Sequence, residues 1–304
     1  MMTSIADSIL MIRPAKFFSN PDTSKDNSFQ NFSNEDLTLP AQQEFDQAVK
    51  LLTKAGIKVN VIQDSEIPET PDSIFPNNRL SFHRDGKVII YSMMAANRRE
   101  ERLLETLSVL EKESIIRITS KTDYSHFEAK NKFLEGTGSM ILDRKNKIVY
   151  VAISKRSDPD LVKLFTEEMD YKAVIFKAQV QTSKGYSAIY HTNVMLAIAD
   201  DFVVIAESAI ETKQRNLVLQ SLALSGRTII TISTQQMNKF CGNILQLRSK
   251  QGEKIIVMSE TAYNNFNPDQ IAIINQNNTI LKTSIPIIEK ASGGSIRCMM
   301  AEIF

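Results

Sequence analysis

Charge of one sign, long apolar runs, cysteine and histidine are what this chain has little of. Lys+Arg number 36 against 35 Asp+Glu, leaving a net charge of +1 over 304 residues. No segment is strongly basic, so the electrostatic basis for nucleic-acid binding is missing. Small molecules or other copies of the chain are the expected partners. No apolar run approaches the ~20 residues that span a bilayer. The opening "MMTSIADSILMIRPAKFF" has no basic leader region and reads as a first strand, not a signal peptide. Two cysteines, Cys241 and Cys298, make no disulfide framework and suit a reducing cytoplasm. His83, His126 and His191 lack metal-ligand spacing, which argues against a zinc site. The expectation is a cytoplasmic protein with no metal and no membrane span.

What is present is a large apolar fraction, 42%, in short pieces. Runs at 8–13, 58–63, 87–93, 147–154, 171–178, 202–207, 228–233, 244–249 and 253–259 read as buried strands. Helical spacing marks 40–56, 98–113, 160–170 and 214–227, the first with a first-turn proline and a glycine stop. The polar stretch 19–40 has too few apolar residues to pack, and it does not separate two cores. One α/β domain over 1–304, built of repeated strand–strand–helix units, follows.

Chemistry-bearing residues are few enough to weigh singly. Buried free cysteine is usually structural, and Cys241, ahead of an apolar strand, reads that way. Cys298 differs in following Gly293-Gly294, which permit close backbone approach. Arg297 beside it would favour a thiolate if its guanidinium faced the sulfur. His191, in "AIYHTNVM", is the histidine best placed to serve such a thiol as base. His83 precedes a hairpin-type Asp85-Gly86 turn and reads as solvent-exposed; His126 lies in a polar loop. Glu135, between an apolar pair and Gly-Thr-Gly, could orient an imidazole or be a solvated turn residue. Asp72, Asn77 and Asn78 in "PDSIFPNN" are turn residues by default.

"FLEGTGS", "YHTNVM" and "GGSIRCMM", in that order, resemble the guanidine-modifying enzyme superfamily of arginine deiminases, dimethylarginine hydrolases and amidinotransferases. The resemblance implies a pentein fold, an α/β propeller of five ββαβ units. It implies Glu135, His191 and Cys298 as the acid–imidazole–thiol set. It further implies substrate contacts from Asp72, from "ANRREE" (Arg98 or Arg99) and from "AISKRSD" (Arg156). The branch most similar is the citrulline ureidases, through "RPAKFFSNPDTSKDNSFQ", "FPNN" and "EGTGS". Amides at Asn77, Asn78 and Asn193 stand where arginine-using members have acids. A guanidinium offers only donors, whereas a ureido group offers donors and one carbonyl acceptor, which an amide can match on both sides.

The expected activity is hydrolysis of L-citrulline to ornithine, ammonia and carbon dioxide through a covalent Cys298 intermediate. His191 would move the protons and Glu135 would orient it. Asp72, Asn77, Asn78 and Asn193 would grip the ureido head, and Arg156 with Arg98 or Arg99 the α-carboxylate. Asn20 and Gln30 would close over the amino-acid end. No cofactor is required. An arginine deiminase or dimethylarginine hydrolase remains an alternative, as does a non-catalytic binding module of the same fold.

Overall fold

Short apolar runs alternating with amphipathic stretches build one unit several times over. The computed structural model describes residues 4–103, 106–182 and 185–304. In one unit Leu80–Phe82 pairs antiparallel with Lys87–Ile90, which pairs parallel with Ser120–Asp123. Ile141–Asp143, Ile148–Ala152 and Lys172–Phe176 repeat this pairing. So do Leu196–Ile198, Phe202–Ile205 and Thr228–Thr231, and again Leu245–Arg248, Lys254–Ser259 and Thr279–Thr283. A fifth sheet joins distant parts of the chain: Ser8–Arg13 lies between Ala301–Ile303, antiparallel, and Lys58–Gln63, parallel. A separate hairpin pairs Gln179–Thr182 with Gly185–Ala188.

A helix crosses between the second and third strands of each sheet, as parallel pairing requires. Thr38–Lys54 buries Ala41, Phe45, Ala48 and Leu52, a stripe at helical spacing. Pro159–Met169 starts from Asp158, whose carboxylate accepts from the Asp160 and Leu161 amides, with Pro159 in the first turn. Pro268–Asn275 opens with a capping box between Asn267 and Gln270. No helix among the described residues is long and apolar enough to cross a membrane.

Three expectations need correction. The helical spacing over 98–113 becomes Ala96–Arg99, a 3-10 turn Glu100–Leu103 and Thr106–Lys112, with residues 104 and 105 outside the described ones. Arg98 and Glu101 turn inward as a buried ion pair, and the Glu101 carbonyl accepts from Arg79. His83 is buried, bonded through Nε2 to Ser81 at 2.9 Å; burial, with Arg144, Lys147 and Lys87, holds it well below its ordinary value. The polar stretch 19–40 does pack, through Ser19, Asn20, Thr23 and Asn27, all buried by polar contacts.

The positioning device is the turn that precedes the first strand of each sheet. Those turns are Pro76–Asn78, Gly136–Ser139, Thr192–Val194, the turn through Cys241-Gly242-Asn243, and Ile296–Met299.

Candidate active site

Two of these turns meet because Gly136 and Gly138 carry no Cβ at the contact. A Cβ on Gly136 would lie 2.3 Å from the Asn77 carbonyl. One on Gly138 would lie 2.3 Å from Asn78 Nδ2 and 3.0 Å from His191 Nδ1. "EGTGS" is thus packed directly on "PNN", with the imidazole beside both.

Glu135 precedes the Gly136–Ser139 turn and is fully buried. Its Oε2 lies 2.8 Å from His191 Nε2 and 3.4 Å from Arg156 Nη1, and its Oε1 accepts from the Met94 amide at 3.0 Å. Burial alone would raise this carboxyl. The Arg156 charge and the His191 hydrogen bond outweigh it and hold Glu135 well below the usual carboxylate range. Burial lowers His191 from its ordinary value, only partly offset by Glu135. The imidazole is therefore neutral at neutral pH, with Nε2–H given to Glu135 and Nδ1 carrying the lone pair.

Cys298 sits in the turn Ile296–Met299, buried, its amide bonded to the Ser295 carbonyl at 2.9 Å. Its Sγ accepts from Asn193 Nδ2 at 3.4 Å and from Asn243 Nδ2 at 3.2 Å. Arg297 turns its guanidinium to the Met300 carbonyl and Glu302. Gly293 and Gly294, ahead of the thiol, let the segment around Gln30 and the Phe75 ring approach the backbone closely. A Cβ at Gly293, with φ +69°, would meet Gln30 N at 2.6 Å; one at Gly294 would meet the Phe75 ring at 2.8 Å. Cys241 is the contrasting case, buried, bonded to the Ala262 carbonyl and pushed up to about 12 by burial.

A small cavity of about 20 Å³ has Asp72, Asn78, Arg98, Arg156, His191 and Cys298 on its walls. That holds about one water molecule. The cavity is closed by the segment from Asn20 to Asn31. Asn20 donates to Asp72 at 2.7 Å, Asn27 to the Ser292 carbonyl at 2.9 Å, and Asp26 takes two hydrogen bonds from Arg156. A larger opening of about 760 Å³ lies elsewhere, among His83, Asp85, Arg144, Lys147, Asp200 and Arg248, with no thiol on its walls.

The residues singled out in the sequence separate into groups. Asp72, Asn78, Arg98, Arg156, His191 and Cys298 line the cavity, and Glu135 stands behind His191. Asn193 reaches the sulfur from within, and Asn77 is buried nearby with both amide atoms unpartnered. Asn20 lies over the cavity and Gln30 binds Thr23 and the Asn20 carbonyl, one step removed. Arg99 is a correction: it faces the Met93 and Met94 carbonyls, Glu128 and the Phe133 ring, away from the cavity. The carboxylate-binding forks of Arg98 and Arg156 are also filled here, by Glu101 and Asp26. Asn243 and Asp26 were not singled out. The signal for Asn243 was its place two residues before a strand, as Asn78 stands before Leu80.

A family model described as "N,N dimethylarginine dimethylhydrolase, eukaryotic" matches residues 13–304. The chain belongs to that family. It is thereby a member of the guanidine-modifying, or pentein, superfamily. Solved structures share its fold at low identity. Apo ArgZ, an arginine dihydrolase from the ornithine-ammonia cycle in cyanobacteria, is 14% identical with a TM-score of 0.73, over 97% of this chain and 40% of that one. The chain thus spans about 40% of ArgZ's length. The ArgZ N-terminal domain bound to product gives 0.70 at 14% identity, over 97% and 96% of the two chains. A DDAH mutant from Pseudomonas aeruginosa complexed with citrulline gives 0.65 at 12%, over 98% and 99%. No curated protein matches the chain.

Proposed function

We propose that this dimethylarginine-hydrolase family member is a cytoplasmic cysteine hydrolase of a ureido amino acid, with L-citrulline as substrate. We read residues 1–304 as one domain, its five sheets arranged as the blades of an α/β propeller. The observation that carries the substrate reading is the fixed orientation of two amides. Asn78, a residue of the cavity wall, accepts through Oδ1 from Arg98 Nη1 at 2.9 Å, so its Nδ2, packed beside Gly138 and unpartnered, is left as the free donor. Once Cys298 is a thiolate, which can only accept, Asn193 gives it Nδ2, and its unpartnered Oδ1 is an acceptor. A ureido group offers a carbonyl to the first and N–H to the second. A guanidinium would set donor against donor at Asn78, leaving a buried N–H unpaired at about 1–3 kcal/mol.

In the reaction, the Cys298 proton passes to His191 Nδ1 and the sulfur attacks the ureido carbon. The protonated imidazole, stabilised by ionised Glu135, delivers that proton to the departing nitrogen. His191 then takes a proton from water, whose oxygen attacks the thiol-bound carbon and releases Sγ. The resulting carbamic acid falls apart to carbon dioxide and an amine. The net products from citrulline are ornithine, ammonia and carbon dioxide. The cavity is too small for an amino acid while the Asn20–Asn31 segment is down. Substrate entry therefore displaces that segment, and the α-carboxylate takes over the Arg156 fork that Asp26 occupies.

The family match favours a second reading, hydrolysis of a methylated arginine, in which Asp72 and Glu135 would face the cation. Purified protein given citrulline, arginine or dimethylarginine, with Cys298→Ser as control, decides. Ornithine from citrulline alone, lost in the variant, supports the ureidase. Citrulline formed from either arginine compound overturns it.

A further inference from the structure

Four of the five turns already described bring Asn78, Glu135, His191 and Cys298 to one place; the remaining one ends at Asn243. Its course is tightly set. Phe240 takes the left-handed backbone at φ 62°, and a Cβ on Gly242 would lie 2.4 Å from the Val194 carbonyl. The segment therefore lies flat against the turn that carries His191 and Asn193. Asn243 itself is fully buried, and every hydrogen-bonding atom of its amide is used. Oδ1 accepts from the Arg297 amide at 3.2 Å; Nδ2 donates to the Asn193 carbonyl at 3.1 Å and to Cys298 Sγ at 3.2 Å. The Arg297 contact removes any ambiguity about which atom faces the sulfur, because a backbone N–H needs an acceptor.

We propose that Asn243 is a further catalytic residue, donating a hydrogen bond to Cys298 Sγ that favours the thiolate and aims it into the cavity. This rests on the reading of Cys298 as nucleophile. An amide nitrogen only donates, so the bond is strongest when the sulfur is charged and weakens when it carries a proton. The donor is neutral and cannot be titrated away. Other groups face the same sulfur: Tyr190 and Arg297 sense its charge, and His191, Asp72, Arg98 and Arg156 share the cavity. Arg297 spends its guanidinium on Glu302 and the Met300 carbonyl. Among the described residues, direct donation to Sγ therefore falls to Asn193 and Asn243, and Asn243 holds the shorter contact. Because Asn243 binds the Arg297 amide and the Asn193 carbonyl as well, it also fixes the sulfur relative to the imidazole turn.

The test is the pH profile of iodoacetamide alkylation at Cys298, read by mass spectrometry of the Cys298 peptide, in wild type, Asn243→Asp and Asn243→Ser. Asp keeps the acceptor for Arg297 and removes the donor to sulfur. The midpoint is expected to rise by about one to two pH units in both variants, the larger rise in Asp, whose charge opposes the thiolate. A merely structural role would lower thermal stability without moving that midpoint, and an unmoved midpoint in a folded variant overturns the proposal. No alkylation of wild-type Cys298 overturns instead the nucleophile reading, and this inference with it. Should neither variant fold, the side-chain amide resonance of Asn243 in wild type is followed through the thiol titration. A shift in step with thiolate absorbance supports the bond, and no shift overturns it.

Discussion

Asp26 holds the Arg156 guanidinium through two hydrogen bonds, 2.9 Å to Nε and 2.5 Å to Nη2, and Arg156 in turn touches Glu135 at 3.4 Å. A surface-borne segment is thereby fastened to the charge that keeps Glu135 ionised. Breaking one side of a buried pair costs about 3–5 kcal/mol when the other charge is left alone. Asp26 is partly exposed and Arg156 keeps Glu135, so the loss falls below that range.

Asp26→Ala is accordingly expected to release the covering segment. Hydrogen exchange over residues 19–31 should accelerate at least tenfold while the sheets keep their protection. Equal exchange in wild type and variant would show that the segment is held by something else.

Asn78→Asp tests the amide reasoning. Replacing a fixed donor with an acceptor should lower kcat/KM for citrulline relative to arginine by about 10- to 100-fold. The ratio of the two specificity constants is the measurement. An unchanged ratio would remove the case for a ureido head at this position.

Gly138→Ala places a methyl group 2.3 Å from Asn78 Nδ2 and 3.0 Å from the His191 ring. Overpacking of that kind costs about 1–3 kcal/mol, and a displacement of about 1 Å at reacting groups costs about 100-fold in rate. Denaturant unfolding and kcat should both report it. Retained activity would mean that the two turns can part without consequence.

Stability should fall on acidification in two stages. His191 and His83 are held below the ordinary 6.5, so the unfolded chain binds protons there that the folded one refuses. Stability is therefore lost as pH drops below about 6.5, by up to 1.4 kcal/mol per pH unit for each group. Glu135, held below the ordinary 4.5, adds a second loss as pH falls through that value and below. Urea unfolding from neutral pH down to about pH 2 to 3 follows both. His83→Gln should soften the first stage, and a flat profile would contradict it.

Much of the framework was legible as pattern. Ser8–Arg13 and Lys58–Gln63 have the bounds their apolar runs suggest. The three-residue strands Leu80–Phe82, Ile141–Asp143, Leu196–Ile198 and Ala301–Ile303 were not, because three residues carry no readable period. Glu135, His191 and Cys298 were noticed through the order of their motifs. Asn243 was not, since "CGN" ahead of an apolar strand looks like any turn. Nor was the inward pairing of Arg98 with Glu101, because alternating charge at helical spacing reads as a wet surface until Arg79 and Asn78 are seen to need those partners.

The sheet that unites residues 8–13 with 301–303 has a consequence for the order in which the molecule becomes competent. Cys298 sits in a turn that runs straight into Ala301–Ile303, the strand that docks on Ser8–Arg13. The four other sheets can pair from neighbouring sequence while the chain is still growing. The thiol comes into register only once residues 8–13 and 301–303, far apart in sequence, have met. A chain in which that pairing is broken would thus keep the imidazole beside its carboxylate while the sulfur loses its place relative to them.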